Sequence, residues 1–232
     1  MTYDQGSWVS NLTQVNLDRG SADRREIKSD FEYFNNTYFD HPQYMEVNGK
    51  KPVYIFGTKV IEGDIGGTLR EIREISNEKG NQLYIIGDEL DLALRSSGGW
   101  VKERIDDMKI FDGVSAFTLL YNDYEGDFQQ FVRDHEELYS KLDGTLPTDL
   151  IPYVQAGNND RKIRPQLKNP TLEKDSDAFR DFCQVAQDYT EQGLNMVFVT
   201  SFNEWHEDNQ IEPAKEYGFK YLEIIKNVLA GD

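Results

Sequence analysis

Apolar residues alternate between two patterns along this chain. Short continuous runs occur at Pro52-Val53-Tyr54-Ile55-Phe56, Gln82-Leu83-Tyr84-Ile85-Ile86, Gly113-Val114-Ser115-Ala116-Phe117, Leu150-Ile151-Pro152-Tyr153-Val154 and Met196-Val197-Phe198-Val199-Thr200. They lack the in–out alternation of a half-exposed strand and so predict strands covered on both faces, as in a parallel sheet. A further strand is expected to end at Met1-Thr2-Tyr3. Between these runs the apolar positions return at helical spacing. One stripe is Ile27, Phe31, Phe34 and Tyr38; a second is Leu69, Ile72 and Ile75, after Thr68 and stopped by Gly80. Phe128, Phe131, Val132, Leu138 and Leu142 make a third, closed by Gly144. Phe179, Phe182, Ala186 and Tyr189 make a fourth, with Ser176 as its cap and Gly193 just past its end, and Tyr221, Leu222, Ile225, Val228 and Leu229 the last. A short helix is expected from Val101 to Met108.

Strand–helix alternation implies an α/β fold with a parallel sheet, of which the doubly wound sheet and the (β/α)8 barrel are the common forms. The strands above fall short of the eight in a barrel, which usually takes about 250 residues. The excursions at 4–23 and 155–175 are long. The expectation is an incomplete (β/α)8 TIM-type barrel lacking its N-terminal strands, with residues 1–232 forming one catalytic-type domain, the C-terminal portion of such a barrel.

In a barrel, chemistry gathers where strands run into loops. Polar groups stand at each such point: Asp4 and Gln5; Thr58 and Lys59; Asp88 and Glu89; Tyr121, Asn122 and Asp123; Gln155, Asn158, Asn159, Asp160 and Arg161; and the run Thr200-Ser201-Phe202-Asn203-Glu204-Trp205-His206-Glu207. The last is the most informative. Two carboxylates three residues apart, with an indole and an imidazole between them, suit sugar chemistry. One acid moves a proton, the other answers the developing positive charge, and the ring stacks on the sugar face. The bland alternatives are a salt bridge for Glu204 and a helix-start carboxylate for Glu207.

Composition narrows the field. Lys and Arg number 25 against 42 Asp and Glu, a net charge of −17. A nucleic acid would be repelled unless a local basic patch overrode that field, and no long run of Lys and Arg exists, so the acidity reads as a well-hydrated surface. Hydrophobic residues at 38% are enough for a sizeable core. The single cysteine, Cys183, lies in an apolar helical stripe and reads as a small core residue; it leaves the redox compartment open. No basic-then-apolar leader follows Met1 and no apolar run reaches about 18 residues, so neither a signal peptide nor a membrane span is expected. The compartment is then cytoplasmic, or periplasmic or extracellular if the N-terminus is truncated; the oligomeric state is unknown. Asn11 and Asn35 match the glycosylation acceptor pattern, which arises often by chance.

Other catalytic patterns fail. His206-Glu207 begins like the zinc protease helix, but Gln210 stands where the second histidine is needed. Of three histidines, His135 lies in a charged helical stretch that reads as surface. No Gly-x-Ser-x-Gly elbow supports a Ser-His-Asp triad. Gly63-Asp64-Ile65-Gly66-Gly67 lacks the Lys-Ser/Thr pair that grips phosphate.

Asn203-Glu204-Trp205-His206-Glu207, continued by Gln210-Ile211-Glu212-Pro213-Ala214, resembles the signature of glycoside hydrolase family 99, the endo-α-mannosidases. Tyr38-Phe39-Asp40-His41-Pro42-Gln43-Tyr44 with Val47 to Val53, and Ile163-Arg164-Pro165, are similar to further segments of that family. The resemblance covers residues from about 30 to 230. It implies a (β/α)8 barrel and hydrolysis of an α-mannoside-like polysaccharide or glycan with retention of configuration, without metal or cofactor. By the same resemblance Glu204 is the base on the sugar 2-hydroxyl, giving a 1,2-anhydro sugar, and Glu207 the acid and then the base. The neighbouring carboxylate, with burial by Trp205, would hold a proton on one of the pair. Asn203, Trp205, His206, Gln210, Glu212, Arg164, Asp4 and Tyr121 are the expected substrate-binding residues. The chain departs from the family at Asp208-Asn209, where Gly-Thr is usual, and at Gln155 to Arg161. Two rivals remain: a WbsX-type glycosyltransferase-related protein of polysaccharide biosynthesis, and a catalytically silent carbohydrate-binding partial barrel.

Overall fold

Backbone pairing follows the predicted runs closely. The computed structural model describes residues 2–4, 15–58, 61–90, 105–118, 127–166, 170–190 and 194–231. In chain order the elements are β1 (Thr2–Asp4), β2 (Val15–Asn16), α1 (Ala22–Thr37), β3 (Lys51–Phe56), β4 (Ile61–Glu62), α2 (Ile65–Glu78), β5 (Leu83–Asp88), β6 (Gly113–Ser115), α3 (Phe128–Leu142), β7 (Asp149–Leu150), β8 (Tyr153–Gln155), α4 (Ser176–Asp188), β9 (Phe198–Thr200) and α5 (Lys220–Val228). Residues 105–107 are helical, as the expected 101–108 helix requires, and a 3-10 turn at Met108–Ile110 follows them; residues 101–104 lie outside the described residues.

Residues 1–89, 104–114 and 147–149 form one unit; residues 90–103, 115–146 and 150–232 form a second. The five-stranded sheet has the order β1-β3-β5-β6-β7. β3 runs parallel to both β1 and β5, with Lys51 opposite Leu83 and Ile55 opposite Gly87. Every residue of β5 is buried, as its unbroken apolar run requires. The seam between α1 and α2 is polar. Arg24, almost fully buried, pairs with Asp64 and Glu71 at 3.0 Å each. Asn35 is 3% exposed and donates to Phe31 O and Ser76 Oγ, so the glycosylation match there is an interior amide. The Gly63–Gly67 stretch is the start of α2: Asp64 caps Gly67 N at 2.8 Å, four residues before Thr68, after which the stripe was expected. The short parallel pair β2–β4 was not anticipated, because two-residue strands carry no periodicity.

In the second unit β8 runs parallel to β9, with Tyr153 opposite Phe198 and Gln155 opposite Thr200. The predicted strand at 150–154 is two strands: Pro152 has no N–H to give a ladder. α3, α4 and α5 supply the core. Phe182 lies 5.5 Å from the Phe131 ring and 5.7 Å from that of Tyr153, and Phe179 lies 5.4 Å from Tyr221. Cys183 is fully buried among them, and burial pushes its thiol up to about 12. His135 corrects the surface reading: it is fully buried. Its Nδ1 lies 2.7 Å from Phe131 O and its Nε2 2.8 Å from the Tyr153 hydroxyl. A carbonyl only accepts, so Nδ1 carries the proton and Nε2 accepts from Tyr153. Four residues on from Phe131, His135 lies on the apolar face despite its charged sequence neighbours.

Ser176 is likewise not the cap of α4. Asp175 takes that place, its carboxylate accepting from Asp177 N at 2.8 Å and Ala178 N at 3.1 Å. Asp175→Ala is expected to cost about 1 kcal/mol and to lower Tm by about 2–4 °C in thermal unfolding. Ser176→Ala is expected to change Tm by less than 1 °C, by the same capping argument.

Candidate functional site

The site is built from the loop that leaves β9. β9 ends at Thr200, whose hydroxyl donates to Phe117 O at 2.6 Å, and the Thr200–Ser201 peptide is cis. Backbone bonds then close the loop on itself. Ser201 N donates to Asn209 O at 3.0 Å, Ile211 N to Ser201 O at 3.0 Å, and Glu212 N to Phe202 O at 2.8 Å. Residues 203–208 are held at the tip of a closed lariat. Inside the neck, the Ser201 hydroxyl accepts from Glu204 N at 2.8 Å and donates to Asn209 Oδ1 at 2.7 Å. Asn209, 1% exposed, turns its amide towards Glu207 Oε2 at 3.4 Å.

A second loop meets this one. The bridge between Asn158 and Leu172, with two backbone bonds of 2.8 Å, ties the ends of the 155–175 excursion. Asn159 N donates to Glu207 O at 2.6 Å, joining the two loops. A tight turn from Asp160 carries Arg164, whose Nη1 lies 2.7 Å from Glu207 Oε1 and 3.1 Å from Asp160 Oδ2. These two carboxylates raise the affinity of the guanidinium for its proton, the hydrogen bond that Arg164 donates to Glu207 foremost. Glu204 turns back on its own loop, its Oε1 3.2 Å from His206 N.

Beside the tip lies a pocket of about 520 Å³, lined by residues that include Trp205, His206, Asp208, Gln210, Lys174 and Tyr217. Trp205 is 47% exposed, and its indole N–H is anchored to Glu212 Oε2 at 2.7 Å. Lys174 donates to Gln210 O at 2.8 Å and lies over the rings of Tyr217 and Tyr221, 5.8 and 5.3 Å from their centroids. Burial pushes its ammonium down to about 8, against the pull of Asp208. Asp208 itself has φ 53°. That left-handed region is free to glycine and best tolerated otherwise by Asp and Asn, which gives the departure from the resembling family a backbone reason.

Of the residues singled out from sequence, Glu204, Trp205, His206, Glu207, Gln210 and Glu212 lie in one closed loop, with Asn203 exposed at its tip, and Arg164 reaches it through Glu207. Asp4 ends β1 opposite Phe56, in the other unit. Tyr121 lies outside the described residues, as do Gln5, Lys59, Asn122 and Asp123. Ser201, Asn209 and Lys174 were given no role in the site from sequence. Ser201 and Asn209 flank the motif but act through a closure that spacing does not reveal. Lys174 reads in sequence as one charge beside a helix cap. Among the described residues, no three His, Cys, Asp or Glu side chains are grouped to hold a metal, and no helix is long and apolar enough to cross a membrane.

Comparison with solved structures places the fold. A protein described as glycoside hydrolase-like superposes with a TM-score of 0.73 at 21% identity, covering 90% of this chain and 62% of that one. The glycoside hydrolase family 99 endo-α-mannosidase from Bacteroides thetaiotaomicron superposes with a TM-score of 0.60 at 20% identity, over 91% of this chain and 62% of that one. A second structure of that enzyme, with bis-tris-propane, gives 0.59 at 22% identity, over 86% and 58%. The fold is therefore the α/β arrangement of these barrel enzymes, and the chain spans about three fifths of their length, in keeping with a partial barrel. A comparison with curated proteins returned no significant match. The family model described as Glycosyltransferase WbsX matches residues 5–225, and the chain belongs to that family.

Proposed function

We propose that the protein is a retaining, endo-acting glycoside hydrolase on an α-mannoside-like polysaccharide or glycan. Glu204 takes the proton of the sugar 2-hydroxyl, and O2 displaces the leaving oxygen at C1, which takes a proton from Glu207. A 1,2-anhydro sugar results. Water then attacks C1, giving its proton to Glu207, and O2 recovers its proton from Glu204. Two displacements at C1 return the original configuration. The observation that supports this reading most is the closed loop after β9, which holds both glutamates beside an exposed, anchored indole. Arg164 occupies Glu207 Oε1 at 2.7 Å. The leaving oxygen takes its place there, and Arg164 keeps Asp160 as its partner.

The name of the family favours a second reading, transfer to a sugar hydroxyl in place of water. The two share every step up to the anhydro sugar. The test is 1H NMR of α-mannan digests, with and without an added oligosaccharide acceptor. An initial α-anomer at a new reducing end supports hydrolysis with retention. Products longer than the acceptor, with no new reducing ends, favour transfer. Binding without any turnover favours the catalytically silent carbohydrate-binding protein.

A further inference from the structure

The pocket beside the tip of the 203–208 loop is not lined by Glu204 or Glu207. A ligand seated in it lies away from the reacting bond. Yet its wall takes Trp205, His206 and Asp208 from the same loop, each next to one of the two glutamates in the chain. At about 520 Å³ it lies within the usual range for small-ligand pockets. Its chemistry is mixed in a telling way. The Trp205 ring is half-exposed and held in place through its N–H to Glu212, a fixed flat surface. Lys174 supplies a donor, and Asp208 an acceptor. Lys162 and Lys174 are matched by Asp208 and Glu216, so the wall favours neither an anion nor a cation. An aromatic platform with donors and acceptors but no charge bias suits a neutral sugar ring: its C–H face stacks on the indole, and its hydroxyls bridge ammonium and carboxylate.

We propose that this pocket is a second saccharide subsite, holding a neutral sugar unit of the same chain whose other unit lies at Glu204 and Glu207. The proposal rests on the catalytic reading for that second part only. Lys174 and Asp208 set its preference for hydroxyl-rich ligands. Lys174 is partly desolvated, and a sugar hydroxyl replaces hydration that the ammonium has lost; Asp208, Glu216, Tyr217 and Tyr221 are the titratable groups facing it, with His206 and Lys162 on the same wall. The subsite makes recognition depend on chain length, because binding energy gathered away from the bond is available to the reacting centre.

The test uses the Glu207→Gln protein, so that turnover does not consume the probe. Its indole resonances are followed by 1H–15N NMR during titration with methyl α-mannoside and with size-separated oligosaccharides from partial hydrolysis of mannan, glucan and galactan. The Trp205 indole, assigned by Trp205→Phe, is expected to shift with oligosaccharides of two or more units from at least one source. Asp208→Asn keeps the shape and the left-handed backbone, and Lys174→Met keeps most of the stem; each is expected to weaken oligosaccharide binding about tenfold. Affinities unchanged in both variants, or a Trp205 indole that none of the oligosaccharides shifts, would overturn the proposal. Tight oligosaccharide binding with no activity in the unsubstituted protein would leave the subsite standing and remove the catalytic reading instead.

Discussion

Glu204→Gln and Glu207→Gln are each expected to reduce kcat/KM on a polysaccharide substrate by about 10²–10⁴-fold, the usual worth of a positioned acid or base. Affinity for oligosaccharide should stay within a few-fold. Glutamine keeps the size of glutamate and one carbonyl oxygen. In Glu207→Gln that oxygen still accepts from Arg164, so the contact at 2.7 Å survives and the loop stays closed. In Glu204→Gln the contact with His206 N at 3.2 Å is likewise kept. What each loses is the ability to take or give a proton. Steady-state kinetics with calorimetric binding checks both halves. Wild-type rates in either variant would remove that residue from the mechanism.

Ser201→Ala carries the next largest expected effect. The Ser201 hydroxyl is bonded both to the backbone of Glu204 and to Asn209, whose amide faces Glu207. Its loss frees the Glu204 backbone N–H, loosens the Asn209 amide that faces Glu207, and so disturbs both proposed catalytic residues at once; it also strands the buried Asn209 oxygen. Misplacement by about 1 Å costs on the order of 10²-fold, and the effect should fall on kcat more than on KM. The stability cost is that of one buried hydrogen-bonded group, about 1–3 kcal/mol. Ser201→Thr keeps the hydroxyl and is expected to recover much of the rate. A loss of Tm with unchanged kcat would mean that Ser201 only holds the fold.

Sequence pattern reached the fold where a residue's role follows from its near neighbours. β5 is buried throughout, as its apolar run implies, and Phe128, Phe131, Leu138 and Leu142 share the buried face of α3. His135 shares that face too, but Arg133, Asp134, Glu136 and Glu137 around it hide the fact; only its spacing from Phe131 reveals it. Pro152 lay in plain view within its apolar run, and the missing N–H divides the run between β7 and β8. The candidate site divides the same way. Glu204, Trp205 and Glu207 were legible because they are adjacent in the chain. Arg164 entered through the Ile-Arg-Pro resemblance, and it is 43 residues from the carboxylate it touches. Lys174 is 36 residues from Gln210, and no pattern in sequence joins them. Ser201 and Asn209 are close in sequence, but a serine and an asparagine beside a polar motif read as ordinary loop until the neck they form is visible.

The most direct measurement of the division of labour between the two glutamates is the rate of each glutamine variant on an activated substrate. An aryl α-mannoside with a good leaving group needs no proton from the enzyme when its C1–O bond breaks. If Glu207 protonates the leaving oxygen and Glu204 activates the 2-hydroxyl, Glu207→Gln should cleave the aryl glycoside at close to the unsubstituted rate for the first bond-breaking step, while Glu204→Gln stays inactive. Equal loss in both variants, or rescue of Glu204→Gln alone, would contradict the assignment.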